Sequence, residues 1–252
     1  MKSVFITGGT TGIGLALAKY YLANGHRVGI CGRDKNRLED KSLLTHPHFS
    51  IYELDVSDRE KTKKVISDFA GNQGLDLMIA NAGISVGNKT QLPNFDKAQE
   101  LMKTNVFGVM NSFEAALEIM LKQKRGHLAG VSSVSGFVGL PGAAPYSASK
   151  AAVIKMCESF RIDLAQFNIR VSVIAPGFVD TPLTQKNHHP MPFMISADKA
   201  AAIIAKRLEK NHFMISFPWP MYLITRLMEI IPRRCYFKLM SLKIFNYSKK
   251  SY

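Results

Sequence analysis

A glycine-rich turn set between an apolar run and a helical repeat is the feature that most constrains the fold of this chain. Residues 4–7 (Val-Phe-Ile-Thr) predict a short strand, and residues 8–14 (Gly-Gly-Thr-Thr-Gly-Ile-Gly) follow it at once. Apolar residues then recur at helical spacing until Asn24-Gly25 ends the helix. A strand, turn and helix of this kind begin a dinucleotide-binding unit, because glycines let the backbone approach a pyrophosphate and the helix start favours its charge. The glycine spacing differs from the commoner Gly-x-Gly-x-x-Gly.

Strand-like and helical segments alternate along the rest of the chain. Further strands are predicted at residues 27–31, 50–54, 75–80, 127–131, 169–175 and 212–217. This alternation requires a parallel sheet covered on both faces, here a Rossmann-like, doubly wound α/β sheet of about seven strands. The composition, 46% hydrophobic and 21% charged over 252 residues, fits one such domain. We place it at residues 1–217 and expect a basic amphipathic extension at residues 218–252.

Polar residues follow several of these strands, at the sheet edge where such folds bind ligands. After the second strand, Arg33 could pair with the 2′-phosphate of NADP. Asp34 is the competing candidate, because a carboxylate there would hold the ribose of NAD, but we favour it as the cap of a helix that carries Leu38. Asp55, after the third strand, is predicted to hydrogen-bond the adenine or else to shape a turn or a cap. We therefore predict NADP(H) rather than NAD(H).

Tyr146 and Lys150 are the candidate proton-transfer pair. In a helix they stand one turn apart on one face, and a neighbouring ammonium lowers the pKa of a phenol toward the range that acid–base catalysis needs. An isolated pair at this spacing is more often solvated helix surface. Asn105 lies in the middle of a long helical pattern, residues 96–121, where Asn is a poor helix former. Its amide is expected to hold water or a backbone carbonyl at a kink, or else to be an ordinary surface group.

The motifs, in this order and spacing, resemble the short-chain dehydrogenase/reductase family over about residues 1–217. The matching segments are Thr7 to Gly14, Asn81-Ala82-Gly83, Asn105, Ser133 thirteen residues before Tyr146, the Tyr146–Lys150 pair, and Pro176 to Thr181. Ala80 stands where the family often has a second Asn, a mild departure.

The resemblance implies a catalytic role for four residues. Ser133 is expected to hydrogen-bond the substrate carbonyl oxygen, and Tyr146 to exchange a proton with it. Lys150 is expected to hold the nicotinamide ribose and lower the pKa of Tyr146, while Asn105 orders a water that connects Lys150 to solvent. The hydride comes from the cofactor.

The motifs and the resemblance together predict a cofactor site. Its members are Thr7, Gly8, Thr10, Gly12, Ile13, Gly14, Arg33, Asp55, Val56, Asn81, Ala82, Gly83, Tyr146, Lys150, Pro176, Gly177, Val179 and Thr181.

The substrate is expected to contact the loop after Thr181, at about residues 182–196. Apolar residues there and near Ser133 predict a hydrophobic ketone, aldehyde or alcohol; they are Phe137, Leu140, Phe178, Met191 and Phe193. His188 and His189 have no partner ligands at useful spacing, so we expect exposed lid residues and no metal.

The formal charge of +14 sharpens toward the C-terminus. No nucleic-acid-binding motif accompanies it, so no nucleic-acid partner is expected. The residues beyond 217 are apolar and basic but too short and broken for a spanning helix, which leaves two interpretations. They bind an anionic membrane surface as amphipathic helices, or they pack on the domain or on another subunit.

Scattered cysteines and the short N-terminal apolar run predict a cytoplasmic protein, peripheral at the inner face of a membrane if the tail binds lipid. The resemblance also implies a homo-oligomer. The main alternative is a dinucleotide-sensing regulator of the same fold without turnover, although all four catalytic residue types are present.

Overall fold

The central sheet of the protein, seen in a computed structural model that describes residues 1–85, 94–186 and 190–242, has seven parallel strands in the order β3-β2-β1-β4-β5-β6-β9. The strands are β1 Ser3–Thr7, β2 Arg27–Gly32, β3 Phe49–Glu53, β4 Leu77–Ala80, β5 Gly126–Val131, β6 Ile169–Pro176, β7 Val179–Asp180, β8 Ile195–Ser196 and β9 Met214–Phe217. Strands β7 and β8 form a separate small parallel pair. The predicted doubly wound sheet is confirmed, with β4 and β9 each starting two residues later than expected.

Helices cover both faces of the sheet. They are α1 Gly12–Ala23, α2 Arg59–Ala70, α3 Phe95–Met102, α4 Gly108–Gln123, α5 Ala144–Asp163, α6 Ala197–Glu209, α7 Trp219–Ile230 and α8 Arg233–Ser241. Side chains of β1 alternate between the two cores, since Phe5 packs with residues of α2, α4 and α5, whereas Val4 and Ile6 pack with α1 and α6. Strands buried on both sides in this way explain their nearly continuous apolar sequences.

The helix predicted over residues 96–121 is interrupted. Helices α3 and α4 are joined by a π-helical segment, Lys103–Phe107, with Asn105 fully buried inside it. The helix predicted after Asp34 is a single 3₁₀ turn, Lys35–Arg37, but Asp34 does cap it, accepting a hydrogen bond from the Asn36 amide at 2.9 Å. The capping interpretation of Asp34 is therefore confirmed.

Helices α7 and α8 dock beside the segment that follows β5. The rings of Tyr222 and Phe137 lie 5.7 Å apart, and the Tyr236 hydroxyl donates to the Gly139 carbonyl at 2.6 Å. Tyr236 and Met240 complete a small buried cluster with Val138. Within the described part of the chain, none of the helices has the length and apolarity needed to span a bilayer.

Candidate active site

The glycine turn forms a cradle at the start of α1. Gly8 and Gly12 have φ of +65° and +57°, in the left-handed region that favours glycine. A Cβ at Gly8 would lie 2.8 Å from Ala82 Cα, so the turn touches the backbone that follows β4. A Cβ at Gly14 would lie 2.3 Å from the Gly8 carbonyl oxygen. Gly14 therefore sets the close packing of α1 on the turn rather than facing the cleft.

The first turn of α1 is left open to an anion. Thr11 is its N-cap residue but makes no side-chain capping hydrogen bond, and the turn contains no acidic residue. Uncapped amides and the positive end of the helix dipole suit a phosphate group. The cradle and this helix start together fit the pyrophosphate of a dinucleotide.

Thr7 and Asn81 hold the cradle in place. The Thr7 hydroxyl accepts hydrogen bonds from the backbone amides of Asn81 and Ala82, both at 3.0 Å. The Asn81 side-chain amide donates to the carbonyls of Thr7 at 2.9 Å and Gly8 at 3.0 Å. Thr7 is buried under the turn, and both side chains tie the end of β1 to the end of β4.

A cleft of about 290 Å³ opens along this edge of the sheet. The predicted cofactor residues that line it are Gly8, Thr10, Gly12, Ile13, Arg33, Asp55, Val56, Asn81, Ala82, Gly83 and Thr181. Sequence reasoning missed other members, namely Thr11, Cys31, Gly32, Arg37, Leu54, Ile84, Thr104, Pro182, Leu183 and Lys186. Gly32 directly precedes the predicted residue Arg33. The two further cations, Arg37 and Lys186, lie in turns, where the sequence has no helical or strand periodicity.

Charged residues surround the end of the cleft beyond β2. Arg33 is more than half exposed and lies 3.6 Å from Glu100 of α3, measured from Nη1 to Oε1. Arg37 lines the same region. Asp55 also lines the cleft, while its Oδ1 accepts from the amide and hydroxyl of Ser57 at 2.9 and 2.8 Å. Asp55 therefore shapes a turn, as one interpretation expected, and keeps its position at the cleft wall.

Ser133, Tyr146 and Lys150 meet at the ends of β5 and β6. Tyr146 is half-buried and forms a hydrogen bond with Ser133, whose hydroxyl also lies 3.4 Å from the Pro176 carbonyl. The Lys150 ammonium lies 5.6 Å from the centre of the Tyr146 ring and donates to the Val131 carbonyl at 3.0 Å. The pair thus lies inside the protein rather than on a solvated helix surface.

Asn105 joins this group from the π-helical segment. Its Oδ1 accepts from the Ile84 amide at 2.8 Å, and its Nδ2 donates to the Ile84 carbonyl at 2.9 Å. A Cβ at Gly83 would lie 3.2 Å from Asn105 Oδ1 and 3.5 Å from Lys150 Nζ. Since Gly83 has no side chain, the amide of Asn105 and the ammonium of Lys150 can both lie close to the backbone after β4. The expected backbone hydrogen bond at a helix irregularity is confirmed.

Burial dominates the pKa values at this site. It raises the pKa of Tyr146, and the hydrogen bond from Ser133 opposes the rise. It lowers the pKa of Lys150 to about 8. The lowering of the tyrosine pKa that the sequence predicted is therefore not found in this arrangement. The physical reason is that burial disfavours the charged phenolate, while the Lys150 ammonium faces the ring and donates its hydrogen bond to the Val131 carbonyl instead of to the phenol oxygen.

The turn after β6 closes the cleft from the other side. Its Gly177 amide donates to the Phe217 carbonyl at 2.7 Å, and Thr181 approaches the cradle, since a Cβ at Gly12 would lie 3.1 Å from its Cγ2. Val179 is buried in strand β7, and its carbonyl accepts from the Thr184 hydroxyl at 2.6 Å. His188 and His189 lie outside the described residues. Among the described residues no group of three metal-ligating side chains occurs.

Comparisons with known proteins agree with this geometry. The chain matches the short chain dehydrogenase family over residues 2–192. An uncharacterized oxidoreductase of Myxococcus xanthus is 37% identical over 236 residues, which are 92% of this chain and 93% of that protein. The 3-oxoacyl-[acyl-carrier-protein] reductase of Thermotoga maritima is 34% identical over 191 residues, 73% of this chain and 77% of that one. The crystal structure of a short chain dehydrogenase from Burkholderia cenocepacia in complex with NADP has a TM-score of 0.82 at 25% identity, and the match covers 96% of this chain and 100% of that one.

Proposed function

This chain belongs to the short-chain dehydrogenase family of oxidoreductases, and from that premise we propose that it is an NADP-dependent enzyme acting on a carbonyl or alcohol group of a hydrophobic substrate. The observation that carries the proposal is the meeting of Ser133, Tyr146, Lys150 and Asn105 at the same sheet edge as the glycine cradle. We assign catalysis to residues 1–217 and treat residues 218–252 as an extension.

In this proposal the bound nicotinamide supplies or accepts the hydride, and the protein controls the proton. Ser133 donates a hydrogen bond to the substrate oxygen and orients it. Tyr146 gives that oxygen a proton during reduction and takes it back during oxidation. Lys150 would hold the ribose hydroxyls of the bound cofactor, and its positive charge would favour the phenolate form of Tyr146. Asn105 fixes the backbone beside Lys150 and positions a water for proton exchange with solvent.

The preference for NADP rests on the cations at the adenosine end of the cleft. Arg33 and Arg37 both line it, and a guanidinium is well suited to a 2′-phosphate. The dehydrogenase of Burkholderia cenocepacia was crystallised with NADP, which supports the same choice. The Arg33–Glu100 pair is exposed and weak, so a phosphate can displace the carboxylate.

Exposed apolar residues on α4 and α5 support a homo-oligomer. Met110 and Leu121 of α4 and Ile162 of α5 are each at least 40% exposed. Such faces are commonly covered by a second subunit. The proposed enzyme works in the cytoplasm, and residues 218–252 contact the inner face of a membrane peripherally.

The proposal is tested by following NADPH consumption, with NADH in parallel, against carbonyl compounds of graded chain length. The expected result is turnover that depends on NADPH and improves with an apolar substrate chain. Tight NADPH binding without turnover of any carbonyl or alcohol would instead indicate a dinucleotide-sensing regulator. Failure to bind either cofactor, together with salt-dependent DNA binding, would overturn the proposal altogether.

A further inference from the structure

An exposed apolar stripe runs along α7. It consists of Trp219, Leu223, Leu227 and Ile230, separated by four, four and three residues and therefore on one face of the helix. All four are exposed, Trp219 by 73% and Ile230 by 77%. The opposite face of α7 is the one that docks, since Thr225 is buried there. Docking on the domain therefore covers only half of the helix.

Basic side chains accompany the stripe. Arg233, Arg234 and Lys238 of α8 are exposed and have no carboxylate partner within the described part of the chain. The acidic residue of α7, Glu229, is already paired with Arg226. The exposed face of α7 is thus apolar, and the unpaired cations lie in the next helix, which begins three residues after Ile230.

These charges indicate which kind of surface covers the apolar stripe. A second copy of this chain packed on the same face would bring two sets of unpaired cations together, and like charges at an interface oppose association. An anionic bilayer offers apolar depth for the stripe and negative headgroups for the cations. Tryptophan, with an apolar ring and a polar N–H, is suited to the boundary between the two.

The helix that carries the stripe also packs, through its opposite face, against the proposed substrate end of the active site. Helix α7 starts against the turn after β6, because a Cβ at Gly177 would lie 3.2 Å from Pro218 and 3.4 Å from Met221. On its docked face, Tyr222 packs on Phe137, four residues after Ser133. A bilayer that covers the stripe would therefore lie about 10 Å, one helix diameter, from the loops expected to admit the substrate.

We infer that α7 and α8 dock the enzyme on an anionic membrane surface and that its substrate is a lipid-dissolved carbonyl or alcohol taken from that membrane. The inference rests on the proposed oxidoreductase function and extends it to the source of the substrate.

Trp219 provides a direct readout, because it is the single tryptophan of the chain. Phosphatidylcholine vesicles containing phosphatidylglycerol are added to the intact protein, and tryptophan emission and flotation are recorded. The expected result is a shift of emission to shorter wavelength and co-flotation, both reduced by salt and absent with phosphatidylcholine alone. Replacing Leu223 and Leu227 by Asn should weaken vesicle binding by at least about tenfold. Leu44→Asn is the control, since Leu44 is a similarly exposed leucine, 56%, that lies outside α7 and α8. This variant should bind the vesicles as the parent protein does.

Activity separates this inference from the proposed function. A short and a long-chain member of the carbonyl class that NADPH screening identifies are compared, the long one dissolved in the anionic vesicles. The Leu223→Asn, Leu227→Asn variant should keep its rate on the short compound and lose most of its rate on the vesicle-borne one. Absence of vesicle binding by the intact protein would overturn the inference, while turnover of the short compound would still support the oxidoreductase. Size exclusion that shows a dimer lost only in this variant would also overturn it, because a second copy would then cover the stripe.

Discussion

Lys150 is a buried cation, and its burial should be measurable as a pH dependence of stability. Only 5% of the residue is exposed to solvent, and this burial lowers the pKa of its ammonium from 10.5 to about 8. At pH values between about 8 and 10.5, Lys150 is protonated in the unfolded chain and deprotonated in the folded chain. The contribution of Lys150 to the free energy of unfolding therefore increases as pH rises from about 8 to 10.5. This gain disappears again as pH falls back through the same interval to about 8.

The size of the effect follows from the two pKa values. With 10.5 unfolded and about 8 folded, the contribution of Lys150 grows by about 2 kcal/mol between pH 7 and about pH 9.5. Lys150→Met removes the titrating group and keeps the side-chain length. It also leaves the Val131 carbonyl without its partner, but that cost is the same at every pH. The difference between the parent and the variant therefore isolates the titration of Lys150.

The assay is urea unfolding of both proteins without cofactor, at pH values from 7 to about 9.5. Stopping there avoids the titration of tyrosines, whose ordinary pKa is about 10. The parent should gain about 2 kcal/mol relative to Lys150→Met across this range. A difference that stays constant to within about 0.5 kcal/mol would refute the reasoning, because it would mean that the ammonium is solvated in the folded protein.

Three further predictions concern the rest of the site. Arg33→Ala should weaken NADPH binding roughly 10- to 100-fold with little change for NADH, measured as KM for each cofactor, whereas Glu100→Gln should strengthen NADPH binding a few-fold because it frees the guanidinium. Equal losses for the two cofactors would remove Arg33 from the 2′-phosphate site. Asn105→Ala should lower the free energy of unfolding in urea by roughly 1–3 kcal/mol, since two partly buried backbone groups lose their partners; a loss below about 0.5 kcal/mol would contradict that role. Gly14→Ala should cost about 1–3 kcal/mol of stability and weaken NADPH binding, whereas Gly139→Ala, with no atom within 4 Å of the added carbon, should change neither; equal effects of the two would contradict the packing argument.

The sheet was predictable because each strand is a short apolar run with a turn at its end. Segments such as Leu77–Ala80 are apolar on both sides of the strand and buried throughout, as a sheet covered by helices requires. The glycine turn was predictable for a similar reason, since four glycines within residues 8–14 directly follow an apolar run and precede a helical repeat. Local sequence therefore specified the elements that position the site.

Contacts between distant segments were not predictable in the same way. The helical repeat continues through Asn105, so the sequence indicates an unusual residue there but not a π-helical break, which depends on the backbone of Ile84. Glu100 was not expected beside Arg33 because surface charges carry no periodic signal. The direction of the Tyr146 pKa shift depends on how deeply the site is buried, a property of the whole fold.

The face of α7 that packs on the domain was also not predictable. Apolar residues occur on more than one face of α7, so the sequence alone did not show which face packs on the domain. The structure assigns the Tyr222 face to the domain and leaves the Trp219 face exposed.

The most direct test of the central claim is the turnover of Tyr146→Phe with NADPH and a reducible carbonyl compound. The variant lacks only the hydroxyl that exchanges the proton, so kcat should fall roughly 10²- to 10⁴-fold while the Kd for NADPH changes no more than a few-fold. An undiminished kcat would contradict the role assigned to the phenol.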